Sequence, residues 1–187
     1  MDIAFRRLVI EDLVMVHRWL NEPGVVEWWE GDDVSWDAVV RDYGPSPDPI
    51  EHWIASVGSR AVGWIQCYAA AEEPEECQPW WDRGVDRTAA GIDYLIGEPG
   101  DRRHGLGSAM IGAFVARVVF GGHPQWSQAC AAPHVDNVAS WRALEKAGFR
   151  FAGIVDAAHG PGRLMVVDRA PAQTSQAVTP ARANDGR

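Results

Sequence analysis

Residues 90 to 97, Ala-Gly-Ile-Asp-Tyr-Leu-Ile-Gly, form an apolar run of strand composition, closed by the turn Glu98-Pro99-Gly100 and followed by Arg102-x-x-Gly105-x-Gly107. From Ser108 onward Met110, Ile111, Phe114, Val115, Val118 and Val119 recur at spacings of three and four until Gly121-Gly122, the pattern of a helix with a wide buried face. The middle of the chain therefore reads as a strand that turns through glycines into a buried helix. Glycines allow close backbone approach, and the unpaired amides at a helix N-terminus, at its positive dipole end, suit phosphate oxygens. The same glycines also serve plain turn chemistry. The spacing is neither GxGxxG nor GxxxxGK[ST], which weighs against dinucleotide and nucleoside-triphosphate sites.

The flanking sequence predicts the rest of the fold. Ile3 to Val9 has strand composition, and Leu13, Val16 and Leu20 give Glu11 to Leu20 a helical period that Pro23-Gly24 stops. A short helix is expected from an N-cap at Ser35 through Trp36, Val39 and Val40 to Gly44-Pro45. Ile50 to Val57 and Ala61 to Tyr68 read as a hairpin across Gly58-Ser59-Arg60, followed by an acid-rich loop. A strand at Gln128 to Ala131 leads to a helix capped by Asp136 or Asn137 and ended by Gly148. Phe149 to Val155 and Arg163 to Val167 form a last hairpin across His159-Gly160-Pro161-Gly162. The order β-α-α-β-β-β-α-β-α-β-β gives a mixed sheet covered by helices, an α/β (α+β) fold. At 187 residues one domain is expected, spanning 1–169, with a disordered tail over 170–187, where there is no aromatic residue and one valine.

Charge narrows the partners. Lys and Arg number 17 against 26 Asp and Glu, a net charge of -9, which argues against nucleic acid. The longest apolar stretch, Ile111 to Phe120, is broken by Arg117 and is too short for a membrane span, and the N-terminus has no signal-peptide pattern, so a cytoplasmic protein is expected. Cys67, Cys77 and Cys130 have no CxxC spacing and suggest neither a disulfide framework nor a zinc site. Half of all acids fall in two segments. Residues 21–42 hold Glu22, Glu27, Glu30, Asp32, Asp33, Asp37 and Asp42; residues 72–86 hold Glu72, Glu73, Glu75, Glu76, Asp82 and Asp86. Each segment also carries a tandem tryptophan, Trp28-Trp29 and Trp80-Trp81. Carboxylates bind ammonium groups and indole faces attract cations, so a small cationic substrate fits. Solvated acidic loops are the plain alternative.

Arg102-x-x-Gly105-x-Gly107 resembles the acyl-CoA pyrophosphate loop of the GNAT superfamily of N-acyltransferases. Asn137-x-x-Ser140-x-x-x-Leu144-Glu145-Lys146-x-Gly148-Phe149 is similar to the helix that flanks the pantetheine there. Within that superfamily Trp19-Leu20-Asn21, Val26-Glu27-Trp28-Trp29, Gly63-Trp64-Ile65-Gln66-Cys67-Tyr68, Trp80-Trp81 and Gly91-Ile92-Asp93-Tyr94-Leu95 resemble, in order, segments of aminoglycoside 6'-N-acetyltransferases. The resemblance covers about residues 3 to 168 and implies a GNAT-type, mostly antiparallel central sheet flanked by helices.

It implies acetyl transfer from acetyl-CoA to an aminoglycoside 6'-amino group, a resistance activity that needs no metal. Asp93 would be the catalytic residue, contacting the amine as its base. Acetyl-CoA would be held by Ile96, Arg102, Arg103, His104, Gly105, Leu106, Gly107, Ser108, Asn137 and Lys146. The drug cleft would be lined by Glu27, Trp28, Trp29, Gln66, Tyr68, Trp80, Trp81, Asp82 and Asp93. Two positions depart from the pattern. Leu144 stands where many members carry a tyrosine that can protonate the departing thiolate, and Ala132 stands where relatives often carry a drug-contacting aspartate. A GNAT acyltransferase acting on a lysine-type side chain in siderophore assembly, and a non-catalytic CoA- or aminoglycoside-binding module, are the competing readings. GNAT domains occur as monomers and as homodimers, and the sequence selects neither.

Overall fold

The computed structural model describes residues 1–29, 33–44, 49–157 and 160–171. Strands β1 (Ala4–Arg7), β2 (Glu51–Val57), β3 (Arg60–Ala69), β4 (Ala90–Ile96), β5 (Gln128–Ala131), β6 (Arg150–Ala157) and β7 (Gly160–Asp168) make one sheet in the order β1-β2-β3-β4-β5-β7-β6. Every pairing is antiparallel except β4 with β5. That parallel pair is short: only Ala90 faces Ala129 and Gly91 faces Cys130, whereas β4 stays paired with β3 through Ile96. Past Gly91 the two central strands diverge. Among the described residues one edge of β4 is thereby left without a strand partner over Ile92 to Ile96, and an open edge of amides and carbonyls can accept an extended amide-bearing chain.

Side chains alternate across the sheet, so each strand serves two layers. On one face Ile65, Cys67 and Ile92 pack under α5 (Leu106–Phe114) and α7 (Val138–Lys146), with Met110, Ile111, Phe114 and Leu144 fully buried. The helix that starts with α5 widens into a π-helical stretch over Val115–Val119 and ends in α6 (Phe120–Gly122). The other face carries two separate apolar clusters. Trp64 and Leu95 pack with Leu13, Val16, Trp19 and Leu20 of α1 (Leu13–Leu20) and with Val39 of α3 (Trp36–Tyr43). Tyr68 packs with Cys77 and Trp80 of α4 (Pro74–Trp81) and with Cys130, Val155, Leu164 and Val166.

Most local signals act as their chemistry predicts. The Ser35 hydroxyl accepts the Ala38 amide at 3.4 Å, the Asn137 side chain accepts the Ser140 amide at 3.1 Å, and Gly148 takes a left-handed φ of 96° after α7.

Several expectations are corrected. The acid-rich loop after β3 contains α4. Pro74 occupies its first turn, where a missing N–H costs nothing, and Glu75 and Glu76 sit at its positive end. Pro23-Gly24 ends α1 but opens a further short turn, α2 (Pro23–Val26), because the Glu22 carboxylate caps the Gly24 amide at 3.1 Å. The helix after the glycine loop begins at Leu106, two residues before Ser108. Gly160, Pro161 and Gly162 belong to β7 and pair with β6. Beside Pro161 the segment after β5 keeps only an isolated bridge, His134 to Gly162, in which the Val135 amide donates to the Pro161 carbonyl at 3.0 Å. Glu30, Asp32, Pro45, His159 and the tail from residue 172 onward, all named above, lie outside the described residues.

Candidate active site

The face of the sheet that carries two apolar clusters has a polar seam between them. Along β3 the residues on this face are Trp64, Gln66 and Tyr68, and opposite them on β4 stand Leu95, Asp93 and Gly91. Trp64 and Leu95 belong to the α1/α3 cluster and Tyr68 to the α4 cluster; the pair between them is Gln66 and Asp93. Gln66 Nε2 donates to Asp93 Oδ2 at 2.7 Å, and both residues are only partly buried. A carboxylate with its orientation set by a neighbouring amide, at the gap between two apolar lobes, suits the capture of an ammonium group. Tyr68 extends the seam: its hydroxyl donates to Glu76 Oε1 at 3.1 Å. Burial, followed by the charges of Asp93 and Glu76, pushes the Tyr68 hydroxyl well above its ordinary pKa, so it remains a phenol. Nothing in the sequence singles out Glu76 among its acidic neighbours, because its role depends on the phase of α4.

The two tryptophan pairs pack differently. Trp80 is 3% exposed and packs in the α4 cluster, whereas Trp81 is half-buried with the Arg87 guanidinium 4.2 Å above its ring. Trp29 packs against the α1/α3 cluster. Trp28 instead stands 6.4 Å, ring to ring, from His134 in the segment that follows β5. The turn after α1 thus reaches across toward the segment after β5, a contact that no motif announces. Ala132 packs against the α4 cluster. Glu27 and Asp82 are exposed, and Asp82 Oδ1 accepts Gln78 Nε2 at 2.8 Å.

Several of the clustered acids already have partners within the protein. Glu22 pairs with Arg102 at 2.5 Å, Asp42 with Arg41 at 2.7 Å, and Asp33 and Asp86 accept amides two residues on. The acidic character of both segments is real, but part of it stabilises their own turns.

The glycine loop lies beyond the C-terminal end of β4. Gly105 caps α5 with φ 80° and Arg103 has φ 67°, two left-handed residues that turn the chain sharply into the helix. The first helical bond runs from the Ala109 amide to the Gly105 carbonyl at 3.1 Å, so the amides of Leu106, Gly107 and Ser108 precede the ladder. Arg103, His104 and Gly105 are exposed, Leu106 is anchored in the core, and the Ser108 hydroxyl donates to the Gly105 carbonyl at 2.9 Å. This is a cradle of the kind that accepts phosphate oxygens.

Arg102 does different work. Its Nε and Nη2 donate to the Ile96 and Gly97 carbonyls, each at 3.2 Å, while Nη1 pairs with Glu22. It braces the loop to the end of β4 and to the turn after α1. On the far side of the split, the Tyr94 hydroxyl meets Ser140 Oγ at 2.7 Å, fixing the start of α7 and its cap Asn137 against β4. Lys146 is exposed at the other end of α7, and Leu144 is fully buried in the core under α5. A tyrosine ring at position 144 would have to displace that packing.

The GNAT acetyltransferase domain family matches residues 9–157, and the chain belongs to it. Among named relatives, aminoglycoside N(6')-acetyltransferase type 1 of Serratia marcescens is 30% identical over 90% of this chain and 84% of its own, and that of Klebsiella pneumoniae 29% identical over 95% and 88%. A solved aminoglycoside acetyltransferase AAC(6')-Ib in complex with coenzyme A and kanamycin superposes with a TM-score of 0.77 at 29% identity, covering 90% of this chain and 95% of that one.

Replacing Gly105 with alanine tests the cradle. A Cβ in the left-handed region costs about 1–2 kcal/mol, and the backbone must keep that conformation to present its amides. No atom lies within 4 Å of the added Cβ, so the protein should fold while coenzyme A affinity falls about tenfold. Unchanged affinity by calorimetry would place the pyrophosphate elsewhere.

Proposed function

We propose that this chain transfers the acetyl group of acetyl-CoA to the 6'-amino group of aminoglycosides in the cytoplasm, a reaction that confers resistance. The Gln66–Asp93 pair on the polar seam carries the reading, because it sets a carboxylate at the end of the split between β4 and β5. Acetyl-CoA would lie with its pyrophosphate at the start of α5 and its amide-bearing arm along the open edge of β4. Its thioester end then comes back along the strand toward Asp93. The bound amine is a cation at neutral pH. Asp93 holds it and accepts a proton, directly or through water; the free nitrogen bonds to the acetyl carbon, the carbon–sulfur bond breaks, and the nitrogen releases its second proton to solvent as the departing thiolate takes one up. With Leu144 in the core, that proton comes from water or from another donor. The relatives named for aminoglycoside acetylation, and the kanamycin-bound neighbour, support the choice of amine.

A thiol-release assay with acetyl-CoA across aminoglycosides, polyamines and hydroxylated lysine tests this directly. Turnover should be confined to aminoglycosides that bear a 6'-amine. Turnover of hydroxylated lysine without aminoglycosides would favour the siderophore reading, and no release with any amine would favour a binding module.

The acidic segments add a salt dependence. Raising ionic strength from about 0.1 M to about 1 M shortens the Debye length from about 10 Å to about 3 Å. KM for a polycationic aminoglycoside should therefore rise severalfold while kcat changes little. A KM indifferent to salt would remove the electrostatic role of these segments.

A further inference from the structure

Cys67 lies on β3 between Gln66 and Tyr68 and therefore faces away from the seam, toward the layer formed by α5. Its cross-strand partner is Glu51 at the start of β2, and the chain leaving α6 brings His123 to the same place. Glu51 Oε2 is 4.0 Å from Cys67 Sγ and 3.6 Å from His123 Nε2, and the three ligand atoms lie within 4.8 Å of one another. Cys67 is fully buried; the other two are partly so.

We propose that Glu51, Cys67 and His123 form a binding site for a borderline-soft divalent cation of the zinc type, separate from the acetyl-transfer site on the opposite face of the sheet. Thiolate, imidazole and carboxylate are a donor set that zinc accepts, with three protein ligands and one position left for water. Bond lengths of about 2.0–2.3 Å place tetrahedral ligand atoms roughly 3.2–3.8 Å apart, so closure from the present spacing needs only a small contraction. The imidazole is already held in place. Its ring stacks on Trp126 at 3.8 Å, and Arg169 fixes the surrounding backbone by donating to the carbonyls of Phe120, His123 and Trp126.

The charges balance as well. A thiolate and a carboxylate together neutralise the charge of a divalent cation. Arg7, paired with Glu51 at 2.7 Å and 5.1 Å above the Trp53 ring, is half exposed, and the Trp53 indole N–H at 3.3 Å can stay on the carboxylate as an outer support. A bound cation would tie β2 and β3 to the end of the long helix. The cysteine spacing gives no hint of this, because the three ligands come from separate elements.

Cobalt(II) is the probe, titrated into the whole chain after chelator treatment. One cobalt per chain should bind, with a thiolate-to-cobalt charge-transfer band and the visible absorption of a tetrahedral site. Zinc should bleach both and raise the melting temperature. Cys67→Ser should lose the charge-transfer band, Cys77→Ser should keep it, and His123→Gln should weaken cobalt binding about a hundredfold or more. If Cys67→Ser fails to fold, His123→Gln still decides the matter, since that side chain is only about one-fifth exposed and lies at a helix end. Cobalt bound without a sulfur band, a band that survives in Cys67→Ser, or affinity unaffected by His123→Gln would overturn the site.

Discussion

Asp93→Asn is expected to lower kcat with a 6'-amino aminoglycoside by about 10² to 10⁴, the usual contribution of a positioned acid or base, while acetyl-CoA binding stays unchanged. The substitution keeps the size of the side chain and an oxygen to accept the Gln66 amide that now donates at 2.7 Å. What it removes is the negative charge, and with it both the attraction for the ammonium group and the capacity to take its proton. The coenzyme cradle at Gly105 to Ser108 is built from backbone that this change does not touch. Stopped assays with saturating acetyl-CoA give kcat, and calorimetry with coenzyme A gives the binding. Normal turnover in a folded Asp93→Asn protein would remove the carboxylate from the reaction and leave the seam as a binding feature.

The elements that read clearly from sequence are those with their punctuation and their period both intact. The β2–β3 hairpin turns where Gly58-Ser59 sits, and α7 starts at an asparagine cap and stops at a left-handed glycine. The mixed, mostly antiparallel sheet with helices on both faces follows from that alternation. The α4 segment does not read as a helix because two prolines, Pro74 and Pro79, sit within its eight residues beside the acids Glu75 and Glu76. Without the helix its phase is lost, and the phase is what sends Cys77 and Trp80 inward, three residues apart, and leaves Trp81 half outside.

The site shows the same division. The loop glycines are legible because backbone conformation is written in residue type. Arg102 is legible in its position but not in its contacts, since whether it reaches outward or braces Ile96, Gly97 and Glu22 depends on where the turn after α1 comes to lie. Gln66, Asp93 and Tyr68 could be picked out by resemblance, yet the reason they form a seam lies in the pairing of β3 with β4 in one register. A slip of one strand by one residue would put Gln66 and Tyr68 on the opposite face from Asp93.

Gly91→Ala is expected to destabilise the protein by about 3 kcal/mol, at the upper end for overpacking, and Tyr68→Ala should rescue it. In a strand the added methyl should otherwise help, because glycine costs roughly 0.5–1 kcal/mol relative to alanine. The sign is reversed by a neighbour. A Cβ on Gly91 would stand 2.2 Å from Tyr68 Cζ and 2.6 Å from its hydroxyl oxygen, since the two residues face each other across β3 and β4 and the ring lies over the glycine. The backbone cannot retreat, because Gly91 is also paired with Cys130 on β5. Nor can the ring, which is 3% exposed, packed with Trp80 and tied to Glu76. Tyr68→Ala alone should cost about 3–5 kcal/mol for the cavity. Added to it, Gly91→Ala should be neutral or slightly favourable, so denaturant unfolding of the four proteins should give a coupling of about 3 kcal/mol. Additive costs would mean that the tyrosine ring does not rest on Gly91, and the seam beside Asp93 would then lose the wall that the phenol provides.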